Sequence, residues 1–198
     1  MLVYLSQLLG LKVYAADGLV GRLYDFYFED TTWIITDVVA KKSYGADGKT
    51  IPFPIRQVKE LKKQLKKIEL NISKSKVINN PDYFQRTPLL HTYYVLSRYL
   101  GWPNILSIAD AEDKAEGAIV SPEYTPHLRS IREVTGYRIK ENGKDTSYIV
   151  NFLIDKNDWT IKFTIVNMRK FLPGGKKALI STSNVNLDPK DPTAILAE

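Results

Sequence analysis

Apolar residues in this chain fall in short runs bounded by turn-forming residues. Leu23–Phe28 and Ile149–Ile154 read as strands, as do Trp33–Ala40 and Trp159–Asn167. Further strand-like segments are Ile51–Ile55, Ala178–Ser181 and the alternating Ile68, Leu70 and Ile72. Aromatic and β-branched residues dominate them, which suits a pleated, half-buried surface. Asp17-Gly18 and Asn142-Gly143 are hairpin dipeptides, because such turns require φ > 0. Glu29–Thr32 and Asp155–Asp158 are polar turns, and Gly45–Gly48 and Pro173–Gly175 close the next hairpins. Pro52 and Pro54 donate no ladder bonds, so their strand is expected at a sheet edge or strand entrance. Many short strands separated by turns predict a barrel or a curled sheet.

The runs occur twice. An offset of 126 puts Trp33 on Trp159, Gly10 on Gly136, Phe26 on Phe152, Glu29 on Asp155 and Ile35 on Ile161. Later the register slips by one, and Val58 meets Val185. The order of residue classes is the same in both copies, which indicates a duplicated module. The first copy continues into the Ile68–Ile72 strand and a short helix capped by Ser73, stopped at Asn79-Asn80-Pro81. The second runs into Asn186-Leu187-Asp188-Pro189 and a tail rich in Pro and Asp. Its final strand and helix are expected to be missing or much reduced, and its first hairpin turn one residue longer. The expected organisation is mainly β with minor α. It comprises a first barrel-like domain over 1–82, a partly helical connector over 83–127, and a second, shortened barrel-like domain over 128–198.

Composition narrows the chemistry. Apolar residues make up 44% and charged residues 25%, which is ordinary for a globular protein. With no cysteine, thiolate metal sites, redox pairs and cysteine nucleophiles are excluded. Two histidines, His91 and His127, nearly exclude a multi-histidine metal site. No cofactor is implied. The start of the chain lacks the pattern of a leader, and no apolar run approaches the roughly 18 residues of a membrane helix. A cytoplasmic protein is therefore expected. The net charge of +6 and pI of about 9.3 come from two basic modules flanking an acidic connector.

Two clusters are candidate contact surfaces. Lys59, Lys62, Lys63, Lys66 and Lys67 could neutralise phosphates of a nucleic acid or another anion. Val58, Leu61, Leu65 and Ile68 recur at roughly helical spacing among them, so a solvated amphipathic turn is the plainer account. Tyr93, Tyr94, Tyr99 and Trp102 could anchor a partner. With Leu96 and Leu100 they also fit a helix packed on a barrel. Asp25, Glu29 and Asp30 lie in a strand and its turn, where turn formation explains them better than a metal or carboxylate pair. Nothing pairs either histidine with a nucleophile, and Trp33 and Trp159 read as core.

The run Asp17-Gly18-Leu19-Val20-Gly21-Arg22-Leu23-Tyr24-Asp25-Phe26-Tyr27-Phe28-Glu29-Asp30, followed by Trp33 and Ile35, resembles the PRC-barrel family. That family is named for the cytoplasmic domain of the photosynthetic reaction centre H subunit, and includes a domain of a ribosome maturation factor. The second copy, from His127 to Tyr137 and Asn151 to Asp155, is similar, and Tyr99-Leu100-Gly101-Trp102-Pro103 resembles the connector of two-copy bacterial members. The second copy departs from the pattern at Gly143–Ser147 and at Asn151, where the family has Asp. The resemblance implies a non-catalytic adaptor or assembly module with protein partners, as a monomer or a homo-oligomer. The basic charge and the ribosomal relative suggest an RNA- or ribosome-associated module as a second reading. A small-ligand carrier or enzyme using the groove between copies is a third, carried by fold alone.

Overall fold

The computed structural model describes residues 1–42, 50–62, 66–74, 76, 127–168, 175–188 and 193–196. The expected connector, His91, the Tyr93–Trp102 cluster, the loops at Gly45–Gly48 and Pro173–Gly174, and Lys63 lie outside the described residues. So does most of the helix expected after Ser73.

The first half of the chain supplies β1 (Leu2–Tyr4), β2 (Lys12–Ala15), β3 (Gly18–Glu29) and β4 (Ile35–Lys42). It continues with β5 (Thr50–Pro54), β6 (Val58–Lys62) and β7 (Lys67–Leu70). The second half supplies β8 (Leu128–Ser130), a single helical turn α1 (Ile131–Val134), β9 (Arg138–Glu141) and β10 (Lys144–Asp155). It ends with β11 (Thr160–Asn167), β12 (Lys177–Ser181), β13 (Val185–Leu187) and β14 (Thr193–Leu196). These strands form two curled seven-stranded sheets, two half-barrels in tandem. One runs β5-β4-β3-β2-β7-β6 and the other β12-β11-β10-β9-β14-β13.

The halves exchange their first strands. β1 pairs with β10 (Leu2 opposite Asp155, Tyr4 opposite Leu153), and β8 pairs with β3 (Leu128 opposite Glu29, Ser130 opposite Tyr27). Each sheet is therefore completed by a strand from the other copy, with the repeat offset preserved at every pair. The corner residues repeat the exchange. Ile35 N–H donates to Trp159 O at 2.9 Å, and Ile161 N–H donates to Trp33 O at 2.8 Å. Both tryptophans sit at φ = 57°, a left-handed backbone that costs a non-glycine residue roughly 1–2 kcal/mol. Burial against Phe28 and Phe26 opposes that cost: Trp33 stacks on Phe28 at 5.2 Å, and Trp159 reaches across the copies to Phe26 at 6.3 Å.

One apolar cluster runs through both sheets. It holds Val3, Phe26, Phe28, Ile35 and Phe53 from the first half, and Val134, Phe152, Ile154, Ile161 and Ala194 from the second. The aligned glycines Gly10 and Gly136 share a positive φ and an equivalent bond, their N–H groups donating to Leu23 O and Ile149 O. Gly21 is required for a different reason, since a Cβ there would come within 2.1 Å of Lys41 O.

Three expectations are corrected. The last strand of the second copy is present: β14 pairs with β13 and runs parallel to β9, as β7 does with β2. Its four residues follow a Pro/Asp-rich stretch and find their partner about 55 residues earlier in the chain, so no local pattern announces them. The two first hairpins have equal two-residue loops, Ala16-Asp17 and Asn142-Gly143, because Ala15 pairs Gly18 and Glu141 pairs Lys144. The lysine-rich segment folds as the β6–β7 hairpin and not as a helical turn, with Leu61 opposite Ile68. The edge position expected from Pro52 and Pro54 is where β5 lies.

Candidate functional site

The long strands β3 and β10 each carry two bulges at equivalent places, Val20 and Tyr24 in one and Thr146 and Val150 in the other. The outward faces of the two sheets are equivalent in backbone and different in chemistry.

On the first sheet this face is covered. Tyr27, Val39 and Leu128 form a small buried cluster separate from the main core. Beside it lies Asp25, whose carboxylate accepts from the Ser130 hydroxyl at 2.5 Å and from the backbone N–H of Phe26 and Arg132. Burial pushes the Asp25 carboxyl up to about 6, against the lowering effect of those three bonds. Burial, with the nearby carboxylates Asp25 and Asp37, also pushes the Tyr27 hydroxyl up. Glu133 is raised by burial, offset in part by the bond from the Tyr137 hydroxyl. The guanidinium of Arg132 sits 4.3 Å above the Tyr24 ring. These groups tie the second copy's first strand and α1 onto the first sheet.

On the second sheet the equivalent face is open only in part: Leu153 and Ile165 are buried, as Tyr27 and Val39 are, but Leu2 is exposed where Leu128 is buried. The face holds a cavity of about 520 Å³ lined by Tyr4, Ser6, Gln7, Val150, Asn151, Ile165 and the strand Lys177-Ala178-Leu179. Asn151 occupies the place of Asp25 and repeats its role in neutral form. Its Oδ1 accepts from the N–H of Phe152 and Ser6, and its Nδ2 donates to the Ser6 hydroxyl at 2.7 Å. Tyr4 stands where Ser130 stands in the other half, and Leu179 where Pro52 stands. Leu2, Tyr4 and Leu179 are exposed.

The residues singled out from sequence are scattered. Lys59 and Lys66 are exposed, Lys67 pairs with Glu69 at 2.6 Å and lies over Tyr14, and the backbone of Lys62 is opposite Lys67. The three carboxylates do not converge. Asp25 faces Ser130, Glu29 accepts from the Thr32 hydroxyl, and Asp30 takes Arg129 at 2.6 Å and His127 at 3.0 Å. The His127–Asp30 contact was missed from sequence because 97 residues separate the partners. The open face was also missed, because nothing in a strand pattern tells which of two equivalent faces is covered. Among the described residues, no helix is long and apolar enough to cross a membrane.

No curated protein matches the chain. The family model of the PRC-barrel domain matches residues 1–77. That span contains all seven strands of the first half, and β8–β14 repeat them one for one. The matched span, residues 1–77, is the first of two half-barrels of one pattern.

Proposed function

We propose that the chain is a non-catalytic docking module that holds a protein partner through the outward face of its second sheet. One observation carries this reading: Tyr4 and Leu179 are exposed and line a cavity, with Leu2 exposed on the same strand as Tyr4, where the counterparts Ser130, Pro52 and Leu128 are buried in the same molecule. Burying the exposed half of each side chain contributes roughly 1 kcal/mol, enough together for a partner to recognise the patch. The buried carboxyl and carboxylate-facing tyrosine of the first sheet are engaged in joining the halves. Asp25 and the Ser130 hydroxyl that donates to it are both buried, so the reading assigns them a structural role.

The test compares what is retained from native extract by the wild-type chain and by Tyr4→Glu, at low and high salt and with RNase. A protein that survives salt and RNase on the wild type and is lost with Tyr4→Glu supports docking. Retention that collapses with RNase, or that ignores Tyr4→Glu, overturns it in favour of the RNA-associated reading or of another surface.

A further inference from the structure

The two sheets end on equivalent edge strands that are finished differently. In β5, Pro52 faces Val39 and Pro54 faces Asp37. A proline fits a ladder only where its nitrogen points away from the neighbouring strand, so the outer side of β5 offers no donors at these positions. In β12 the register is the same, with Leu179 facing Ile165 and Ser181 facing Phe163. The amides of Lys177, Leu179 and Ser181 therefore point away from β11, and none of the three is a proline. Among the described residues β12 has no second neighbour, and Leu179 is 58% exposed. An unpaired edge of this kind is a template for another strand.

We propose that β12 pairs with β12 of a second copy of this chain, antiparallel about a two-fold axis through Leu179. This deepens the docking reading, on which it rests, by naming one occupant for the rim of the open face. The strand is self-complementary. Antiparallel pairing centred on Leu179 sets Leu179 against Leu179 and Lys177 against Ser181, and the outward amides of all three residues gain acceptors. The two Lys177 residues then lie about four residues apart along the ladder, roughly 14 Å. That exceeds the screening length of about 8 Å at physiological salt, so like charge does not oppose the pairing. Ala178 and Ile180 point the other way, onto the core, and leave the Leu179 side chains to close over the new junction. The dimer joins the two open faces along one continuous sheet.

Sedimentation across a concentration series tests the pairing. The wild type is expected to show a monomer–dimer equilibrium, and Ser181→Pro to weaken it about tenfold or more, a loss of about 1.4 kcal/mol. Proline is compatible with the fold at this position because Pro54 occupies its equivalent in β5. Cysteine placement gives a second reading in a chain with no thiols. Leu179→Cys is expected to form a covalent dimer under mild oxidation, since a hydrogen-bonded antiparallel pair has Cα atoms about 5.5 Å apart, within disulfide reach. Lys177→Cys is expected not to. A wild type that stays monomeric throughout overturns the proposal, as does a Ser181→Pro variant that dimerises unchanged or equal crosslinking at both positions. A monomeric wild type that still loses its protein partner with Tyr4→Glu overturns self-pairing and leaves docking standing. A dimer abolished by Ser181→Pro, with retention indifferent to Tyr4→Glu, supports self-pairing and removes the docking reading.

Discussion

Leu2 and Leu128 are the same residue at the same place in the two halves. Each starts an exchanged strand, and each lies opposite an acidic residue at the end of the other copy's long strand. Leu2 is 46% exposed and Leu128 only 9%. The backbone repeat thus dictates pairing and register without dictating what covers a face. The side chains around each leucine have diverged to match. The covered face carries Asp25, Tyr27 and Ser130, polar groups that find partners. The second face carries Asn151, the buried Leu153 and the exposed Tyr4, where the buried acid has become an amide and the serine a tyrosine. Covering a sheet face with a charged group beneath it requires hydrogen bonds on the spot, and the first half supplies three of them to Asp25. In the second half Asn151 also makes three bonds, without the charge.

The comparison breaks most visibly in the shared core. Phe26 and Phe152 are equivalent and fully buried in one continuous cluster. Alanine at either position is expected to cost about 3–5 kcal/mol. Because the core is continuous, both variants should unfold in one cooperative transition, with coincident midpoints by tryptophan fluorescence and far-UV circular dichroism. Two separated transitions would mean that the halves fold independently and that the strand exchange does not couple them.

Next in size is the buried acid. The folded state raises the Asp25 carboxyl from 3.8 to about 6, so the native protein holds this proton more tightly than the unfolded chain. Its contribution is therefore fully present below about pH 4, falls as pH rises through 4 to 6, and is gone above that, a loss of about 3 kcal/mol. Asp25→Asn copies the arrangement of Asn151 and should remove this slope, leaving a variant about 2–3 kcal/mol more stable than wild type at pH 7. Urea titrations of both proteins at pH 4.5 and 7 check it. A variant less stable than wild type at pH 7 would show that the carboxylate, once buried, gains more from its partners than burial costs.

The smallest effects sharpen the contrast between faces. Leu128→Ser is expected to destabilise by roughly 2 kcal/mol, as for other buried leucine truncations. Leu2→Ser should fall within about 0.5 kcal/mol. Equal losses in thermal melts would mean that the two leucines share one environment in solution.

Much of this architecture was legible in the chain. The repeat, the strand runs, the prolines marking an edge and the resemblance of the Asp17–Asp30 run all correspond to features of the structure, because period-two patterning and proline geometry are local. The strand exchange was not legible, since β1 is apolar whichever sheet it joins. β14 escaped notice for a related reason: four residues carry little periodicity, and their parallel partner β9 is far away in sequence. The left-handed Trp33 and Trp159 were visible as a matched pair but not as strained corners, because large aromatic residues ordinarily avoid that backbone. The candidate face was the least legible part, as exposure depends on what packs above a strand and not on the strand itself.

The most direct test of the account uses the two leucines in a chain that has no other thiol. Leu2→Cys and Leu128→Cys, each prepared alone, are mixed with a thiol reagent under native conditions at protein concentrations low enough to keep the chains apart. The account predicts that the cysteine at position 2 reacts near the rate of an unfolded control. The cysteine at position 128 should react at least about tenfold more slowly, waiting on local opening. Equal rates would contradict it, for the two halves would then present the same face to solvent.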